Sequence, residues 1–350
     1  MAMTKKEIKI EFLKLVEESR RVTITTHFSP DDDAIASTLA VYAFIKNKFP
    51  EKSISIKIMG SSNNRFNIFQ NYDKIDFVNE LSSELENSKL LIMVDGSQYS
   101  RFSRVPANIA SHGSKKICFD HHSSPVDKFD LLYLDKNATS ASEIIMDILY
   151  KDETITPEVA KILLMGIFGD TGTFNYLKPN QLHTFDNVKK LVKISQVEIQ
   201  DFKASYSKIK KSVFAIVKEY IDNTKFVEVP NKLSYQYSFI TEDFLRKNSF
   251  SDADTSEAGH IYMADYLRLI ENYSWGFIAT PKRREISVSL RSLPRSVNVR
   301  NIVERLNIGG GHDRAAGGGF KHETWGDELD LPFVIRYLVD WIDTNQLELS

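Results

Sequence analysis

The stretch "ICFDHHSSP" at residues 117–125 places an aspartate and two histidines directly after an apolar run. A short apolar run is typical of a buried strand. Asp120, His121 and His122, in contrast, carry side chains that bind metals or transfer protons. Either these polar residues merely end the strand, or the strand end forms the rim of a metal site. The rest of the chain separates the two interpretations.

Three other apolar segments also end in a polar residue. "RVTITTH" is typical of a β-branched strand and ends at His27, "KLLIMVDGS" carries Asp95, and the helical pattern "TPEVAKILLMGIFGDTG" carries Asp170. Each acid alone has a local explanation, because Asp is common in turns and at helix N-caps. A cluster of buried carboxylates needs cations, and no group of Lys or Arg flanks these four motifs. The four motifs together therefore predict a divalent metal as the counter-charge.

The order of elements predicts an α/β protein with two domains. Strands and helices alternate over the first 195 residues, which favours a parallel sheet with helices on both faces and a ligand site beyond the carboxyl ends of its strands. The segment "IQDFKASYSKIKKSVFAIVKEYIDN" predicts one long polar helix, and "NSFSDADTSEAGH" predicts a long loop. We predict a catalytic domain at 1–195, a helical linker at 196–225, and a smaller mixed α/β domain at 226–350.

Composition limits the classes of partner and compartment. The 350 residues suit two cores, and the net charge of -2 argues against binding to long duplex nucleic acid while allowing a small anionic ligand. The single cysteine, Cys118, excludes an internal disulfide and fits a reducing cytoplasm. The charged N-terminal stretch does not resemble a signal peptide, and no apolar run is long enough to span a bilayer. A cytoplasmic protein without a membrane partner is expected.

The stretch "THFSPDDDAIAS" offers the most candidate ligands in one place. His27, Asp31 and Asp33 follow a strand directly, and two acids that are two positions apart can reach two adjacent ions. The local alternative is that these acids cap the following helix. Asp32 is predicted to be an N-cap or a solvent-exposed residue.

Five segments together resemble a known family. "HFSPDDDA", "MVDGS", "FDHHSS" and "GDTGTF", in that order, resemble the four motifs of the DHH phosphoesterase superfamily, and "GGGHDRAAGG" resembles the glycine-rich motif of the DHH-associated domain. The resemblance covers nearly the whole chain. Length and layout are most similar to the nanoRNase/pAp phosphatase group, whose members degrade short oligonucleotides and 3′-phosphoadenosine 5′-phosphate (pAp).

The resemblance implies a site for two metal ions. The residues implied as ligands are His27 and Asp31 for one ion, Asp33, His121 and Asp170 for the other, and Asp95 as the bridge. Four carboxylates and two imidazoles favour Mn²⁺ over Mg²⁺, with Co²⁺ as another alternative, and the set lacks the thiolates of structural zinc. The resemblance also implies that a hydroxide shared by the two ions attacks phosphorus.

Two further residues of the DHH motif are implied to take part in catalysis. His122 is implied to face the phosphoryl group, where it stabilises charge or helps to protonate the leaving oxygen. Asp120 is expected to orient a neighbouring imidazole, and a strand-end cap is the alternative.

The substrate-binding residues are expected in the smaller domain. They are Arg291, at the end of a predicted strand, together with Gly309, Gly310, Gly311 and His312. Glycine backbone N–H groups can approach a phosphate closely, although a simple glycine-rich hairpin is the alternative. Arg295 and Arg314 are weaker candidates, and Tyr262 and Phe320 either stack on a base or belong to the core.

Two acids depart from the family pattern and leave the substrate open. Asp32 occupies a position where the first motif often has glycine, and Asp313 directly follows His312, so both add negative charge near an anionic substrate.

The leading interpretation is a Mn²⁺-dependent phosphodiesterase for short oligoribonucleotides or dinucleotides with 3′-phosphatase activity on pAp. A homodimer is allowed. The alternatives are a cyclic di-AMP or pApA phosphodiesterase, an inactive nucleotide-binding module, a pyrophosphatase or exopolyphosphatase, and a RecJ-type exonuclease.

Overall fold

The chain forms two compact units, Met1–Lys208 and Ile209–Ser350, each with its own apolar core. The structure, a computed structural model, describes residues 3–85, 87–122, 125–151, 154–230, 232–326 and 328–349. Among these residues no helix is both long enough and apolar enough to cross a bilayer.

The first unit is built on a six-stranded sheet. Its strands are β1 (Arg21–Thr26), β2 (Ser53–Met59), β3 (Ile75–Val78), β4 (Leu90–Val94), β5 (Lys115–Asp120) and β6 (Leu131–Leu134). They are all parallel and lie in the order β3-β2-β1-β4-β5-β6, which confirms the predicted parallel sheet. The two edge strands, β3 and β6, were not predicted, because each has only four residues and is partly exposed.

Helices cover both faces of this sheet. The helices are α1 (Lys5–Glu18), α2 (Asp32–Lys48), α3 (Pro106–Ser111), α4 (Ala141–Leu149), α5 (Pro157–Thr171), α6 (His183–Ser195) and α7 (Ile199–Tyr206). Along β4, Ile92 and Val94 join the core that contains α1, α2, α4 and α5, whereas Leu91 and Met93 pack with Ile109 of α3. Side chains alternate between the faces of a strand, so a strand covered on both faces is apolar at every position.

The second unit is a smaller mixed α/β domain, as predicted. Its strands are β7 (Lys225–Val227), β8 (Tyr235–Phe239), β9 (Trp275–Lys282), β10 (Glu285–Ser292), β11 (Gly309–His312) and β12 (Ala315–Lys321). Its helices are α8 (Lys211–Asp222), α9 (Glu242–Asn248), α10 (Asp252–Asp265), α11 (Val299–Arg305), α12 (His322–Trp325) and α13 (Leu331–Thr344). The sheet order is β11-β12-β10-β9-β8-β7, with β8 parallel to β9 and the other pairs antiparallel.

The single long helix predicted for "IQDFKASYSKIKKSVFAIVKEYIDN" is wrong. Two helices, α7 and α8, form instead, because their apolar residues serve different cores. Phe202 of α7 packs against Phe69 and Phe168 in the first unit. Ile216 and Tyr220 of α8 are buried in the second unit.

The long loop predicted for "NSFSDADTSEAGH" is also wrong, since α10 begins at Asp252. Ser251 caps this helix by accepting a hydrogen bond from the Asp254 N–H, and acids in the first turn favour a helix N-terminus. The polar residues that predicted a loop are therefore the cap and the first turn.

Candidate metal centre

The site lies at the carboxyl edge of the first unit's sheet, where the strand order reverses. From β1 the chain proceeds to β2 on one side, and from β4 it proceeds to β5 on the other. Such a switch point is where open α/β sheets form ligand crevices. Thr26 and Val94 are paired in register at this edge, so the residues that follow them, His27 and Asp95, emerge side by side. His27 Nε2 lies 3.3 Å from Asp95 Oδ2.

The other oxygen of Asp95 faces the DHH motif. Asp95 Oδ1 lies 3.4 Å from His121 Nε2, which in turn lies 2.9 Å from Asp170 Oδ2 at the end of α5. Asp95 is only 1% exposed, and its two carboxylate oxygens face different imidazoles, His27 on one side and His121 on the other. This arrangement suits a carboxylate shared by two cations.

The backbone of Asp95 explains how a strand end presents its carboxylate in this way. Asp95 has φ of +58°, in the left-handed region, while its N–H still donates to Phe119 O at 3.0 Å. Asp and Asn adopt this conformation more readily than other non-glycine residues. The chain therefore turns sharply at the last ladder hydrogen bond, and the side chain leaves the strand direction.

The N-terminus of helix α2 supplies two acids, one from the N-cap and one from the first turn. Asp31 is the N-cap, and its Oδ1 accepts from the Ala34 N–H at 3.0 Å while its Oδ2 lies 3.9 Å from His27 Nε2. Asp33 is fully buried, and its oxygens accept from the N–H groups of Ala141 (2.6 Å) and Ser142 (2.9 Å) at the start of α4. These bonds fix the Asp33 carboxylate at a helix N-terminus, where negative charge is favoured.

A glycine of α5 makes room for this arrangement. A Cβ atom at Gly166 would lie 2.7 Å from Asp33 Oδ1 and 2.8 Å from Ser142 Cβ. Real Cβ contacts are longer, so only glycine lets α5 approach the buried acid so closely. Sequence analysis did not single out Gly166, because its function depends on two distant segments.

All six predicted ligands gather into groups with the spacing of a metal site. The groups are Asp33, Asp95, His121 and Asp170; His27, Asp31 and Asp95; and Asp95, His121 and His122. Within each group the candidate ligand atoms lie within 4.8 Å of one another, and Asp95 belongs to all three. That these residues bind metal stays a prediction.

The charges in the cluster are poorly balanced without a cation. Burial, together with the negative charges of Asp170 and Asp95, raises the pKa of Asp33 well above its usual value. Burial also raises the pKa of Asp170 to about 6, and the neighbouring His121 offsets only part of the rise. Burial disfavours the charged form of Asp95, but the adjacent imidazoles of His121 and His27 outweigh it and lower the pKa. Crowded carboxylates that resist ionisation are expected where a metal normally supplies the positive charge.

The unpaired atoms of the cluster fit a divalent ion. Among the described residues, His27 Nε2, His121 Nε2 and Asp95 Oδ1 are buried and make no hydrogen bond of acceptable geometry, although they lie 2.9–3.4 Å from other charged atoms of the cluster. His27 Nδ1 lies 2.9 Å from Phe28 O, and a carbonyl only accepts, so Nδ1 carries the proton and Nε2 has a lone pair for a metal. Buried polar atoms without partners are rare and require an explanation, which a bound divalent ion would provide.

The Asp120 carboxylate contacts His122, the histidine of the DHH motif that is not a predicted metal ligand. Its Oδ1 accepts from the backbone N–H groups of His121 (2.8 Å) and His122 (3.2 Å) and lies 2.8 Å from His122 Nδ1. Asp120 thus caps the strand end and contacts an imidazole, and its part in catalysis stays a prediction. Burial opposes ionisation of Asp120, but these contacts with His122 lower its pKa overall.

Asp32 is not the N-cap that the sequence predicted, since Asp31 takes that position. Asp32 instead pairs with Arg65, and its side chain is 16% exposed. Asp313, the other departure from the family pattern, pairs with Arg300 at 2.9 Å. Both added negative charges are therefore balanced by arginines.

Three cations near the cluster were not predicted from the sequence. The positive charge of Arg101 acts on His27, and the Arg101 carbonyl accepts from the Phe28 N–H at 2.8 Å. Lys136 and Lys178 line a pocket together with His121 and Asp170. Arg101 lies six positions after Asp95, which is only weak sequence evidence that it is near the cluster. The two lysines lie in loops, and nothing in the sequence around them indicates that they are near the cluster.

The predicted substrate-binding residues all belong to the second unit. Gly309, Gly310, Gly311 and His312 form the exposed strand β11, in a hairpin with β12, so the hairpin alternative is correct for the local structure. Arg291 of β10 and His312 of β11 are each in register with Ala315, one from either side.

The weaker candidates for substrate-binding residues differ in solvent exposure. Tyr262 and Phe320 are 1% and 0% exposed and belong to the core, so neither is available to stack on a base. Arg295 and Arg314 are exposed.

Two family models match this chain, one in each unit. Residues 21–167 match the DHH family, N-terminal domain, and residues 234–342 match the DHHA1 domain. The chain is 26% identical to a probable bifunctional oligoribonuclease and PAP phosphatase NrnA from Streptococcus mutans, over 85% of this chain and 88% of the relative. It is 25% identical to the bifunctional oligoribonuclease and PAP phosphatase NrnA of Bacillus subtilis, over 92% of this chain and 96% of the relative.

A solved structure supports the fold over the full length. An exopolyphosphatase-related protein from Bacteroides fragilis superposes with a TM-score of 0.80 at 19% identity, covering 95% of this chain and 96% of that protein. This likeness establishes the shared fold and does not discriminate between substrates. With both domain matches in sequence order, the chain carries a DHH family N-terminal domain followed by a DHHA1 domain.

Proposed function

We propose that this chain is a Mn²⁺-dependent phosphodiesterase that hydrolyses short oligoribonucleotides and dinucleotides and removes the 3′-phosphate of pAp. The observation that carries the proposal is the buried Asp95 carboxylate, whose two oxygens face His27 and His121. The names of the curated relatives support this substrate class.

The proposed ligands fall into two sets that share Asp95. His27, Asp31 and Asp95 would hold one ion, and Asp33, Asp95, His121 and Asp170 would hold the other. Oxygen ligands with two imidazoles suit Mn²⁺ better than Mg²⁺, which dehydrates reluctantly and prefers oxygen alone. When bound, the two ions would supply Lewis-acid polarisation of the phosphoryl oxygens and a nucleophile at neutral pH.

His122 is the proposed acid for the leaving oxygen. Asp120 is fully buried and holds His122 Nδ1 at 2.8 Å, which fixes the ring and keeps the proton on Nδ1. Nε2 is then the ring nitrogen left to face the substrate, and it donates a proton to the leaving oxygen from the imidazolium form, in which both ring nitrogens carry a proton.

The second unit is proposed to bind the rest of the substrate. Arg291 offers a guanidinium that suits phosphate. Arg291 and His312 lie at the same end of the sheet, because both are in register with Ala315. The strand Gly309–His312 is exposed and pairs with β12 along one edge, so backbone N–H groups on its other edge add donors.

A turnover panel tests this proposal. It contains pApA, RNAs from dinucleotide to decamer, pAp, cyclic di-AMP and pyrophosphate, each with Mn²⁺ and with EDTA. Metal-dependent cleavage of the shortest RNAs, with pAp as a second substrate, is expected. A preference for cyclic di-AMP or pyrophosphate would contradict the proposed substrate class, and bound metal without turnover would indicate an inactive nucleotide-binding module.

A further inference from the structure

A pocket opens directly beside the cluster, within the first unit. It has a volume of about 230 Å³, and His121 and Asp170 form one wall while Lys136, Lys178 and Gln181 contribute to the remainder. We propose that Lys136 and Lys178 bind a terminal phosphate monoester of the substrate. This inference rests on the proposed function, because it assigns a subsite next to the phosphodiester that is cleaved.

The two loops that carry the lysines are held together by side chains. Asn180 Nδ2 donates to Asn137 Oδ1 at 3.1 Å, which links the residue after Lys136 to the segment that begins at Lys178. Gln181 Oε1 accepts from the Lys178 N–H at 3.1 Å. The lysines are therefore presented by a cross-linked pair of loops, and part of the ordering cost of binding is already met in the fold.

The wall behind the pocket is also rigid. Glu143 is 1% exposed and accepts from the N–H of Thr139 at 2.9 Å, from its hydroxyl at 3.0 Å, and from Asn187 at 2.9 Å. These bonds join the pocket residue Thr139 to α4 and α6. Glu143 thus acts as a buried structural carboxylate.

The charge of the two lysines is available to a ligand. Among the residues that the structure describes, neither Lys136 nor Lys178 forms an ion pair, whereas Lys115 pairs with Asp130 at 2.8 Å. Both lysines are exposed at the pocket rim. Two ammonium groups beside a phosphodiesterase centre suit an anion with a double charge, such as a phosphate monoester.

The size of the pocket argues for a phosphate rather than a nucleoside. Sites for drug-sized ligands occupy roughly 300–1,000 Å³, and this pocket has about 230 Å³. A phosphate with its water molecules fits this space. Both pApA and pAp carry a 5′-phosphate monoester besides the phosphorus that is attacked. A 3′-terminal phosphate has the same chemistry, and the substrates of the test distinguish the two ends.

The test compares substrates with and without the terminal group. The kcat and KM of the full-length Mn²⁺-loaded protein are measured for pApA, ApA and ApAp, in the wild type and in the Lys136→Gln/Lys178→Gln variant. The variant is expected to lose at least about tenfold in kcat/KM on pApA or on ApAp, mainly through KM, and no more than about twofold on ApA. Loss on pApA alone assigns the 5′-phosphate, and loss on ApAp alone assigns the 3′-phosphate.

Lys189→Gln is the matched control, because Lys189 is an exposed lysine of α6 that does not line this pocket. Equal losses on all three substrates, or losses no larger than those of Lys189→Gln, would overturn the subsite.

A binding measurement separates this inference from the proposed function. Calorimetry with Mn²⁺ present compares 5′-AMP, 3′-AMP and adenosine on the wild type and the double variant. At least one of the two AMP isomers is expected to bind the wild type about tenfold more tightly than the variant, while adenosine is unaffected. If the wild type cleaves none of the three substrates, the proposed function fails, and this comparison alone decides the subsite. Equal affinities of the two proteins for both AMP isomers would then refute it.

Discussion

The cluster around Asp95 and the glycine-rich strand β11 carry the two halves of the predicted chemistry, and they are built in opposite ways. Asp33 and Asp95 are almost fully buried and tied to backbone N–H groups or imidazoles, whereas Gly309–His312 is exposed along its whole length. Buried charges must be fixed by the fold before any ligand arrives. An exposed edge strand has unpaired backbone N–H and C=O groups, and a ligand can form hydrogen bonds with them when it binds. Substitutions should therefore affect kcat in the first region and KM in the second.

The largest effect is expected from Asp95→Asn. Asparagine keeps the size and tolerates the left-handed backbone, with φ of +58°, but it cannot bridge two cations as a carboxylate does. Turnover should fall by at least about a thousandfold, because metal ions supply several kcal/mol of charge stabilisation. Steady-state kinetics on pApA measures this loss, with circular dichroism to confirm the fold. Exposed Asp73→Asn is the control, and near-normal kcat in Asp95→Asn would remove Asp95 from the centre.

A smaller but still large effect is expected from Gly166→Ala. The new methyl group would press on Asp33 and Ser142, so Mn²⁺ affinity should fall about tenfold or more even though the ligands are intact. Titration of the metal-free protein with Mn²⁺ gives the affinity. Gly113→Ala is the matched control, since nothing lies within 4 Å of a Cβ atom there. Equal affinities for the two variants would show that α5 does not position Asp33.

Arg291→Ala probes the second region. Loss of one charge-assisted contact with the substrate should raise KM about tenfold and change kcat by less than about threefold. The control is Arg284→Ala, at an exposed arginine 3.8 Å from Glu323. An unchanged KM for Arg291→Ala would remove this arginine from substrate binding. A fall in kcat alone would contradict the expectation that substitutions in the second region affect KM.

The smallest effect is expected from Asp313→Ala. Asp313 and Arg300 are half exposed and form a surface pair, which typically contributes about 0–1 kcal/mol. KM for pApA should therefore change by less than about threefold, whereas Arg300→Ala should raise KM because it leaves Asp313 unbalanced near His312. A tenfold fall in KM for Asp313→Ala would show instead that Asp313 repels the substrate.

The sequence predicted what is local and missed what joins distant segments. Asp95 and His121 were identifiable because each directly follows an apolar strand, and parallel strands bring their carboxyl ends to one edge. The partners of Asp32 and Asp313 were not identifiable, since pairing with Arg65 or Arg300 depends on packing and not on spacing. The same holds for the lysine pocket, whose two loops are joined where Asn180 donates to Asn137 across 43 positions of sequence.

The central claim is that Asp95 is shared by two metal ions, and Mn²⁺ stoichiometry tests it most directly. Calorimetric titration of the metal-free protein, with electron paramagnetic resonance of the loaded form, reports both the number of ions and their coupling. Two Mn²⁺ per chain with a coupled spectrum are predicted for the wild type, and loss of the coupling for Asp95→Asn. A single ion in the wild type, or an uncoupled pair that persists in Asp95→Asn, would contradict the account.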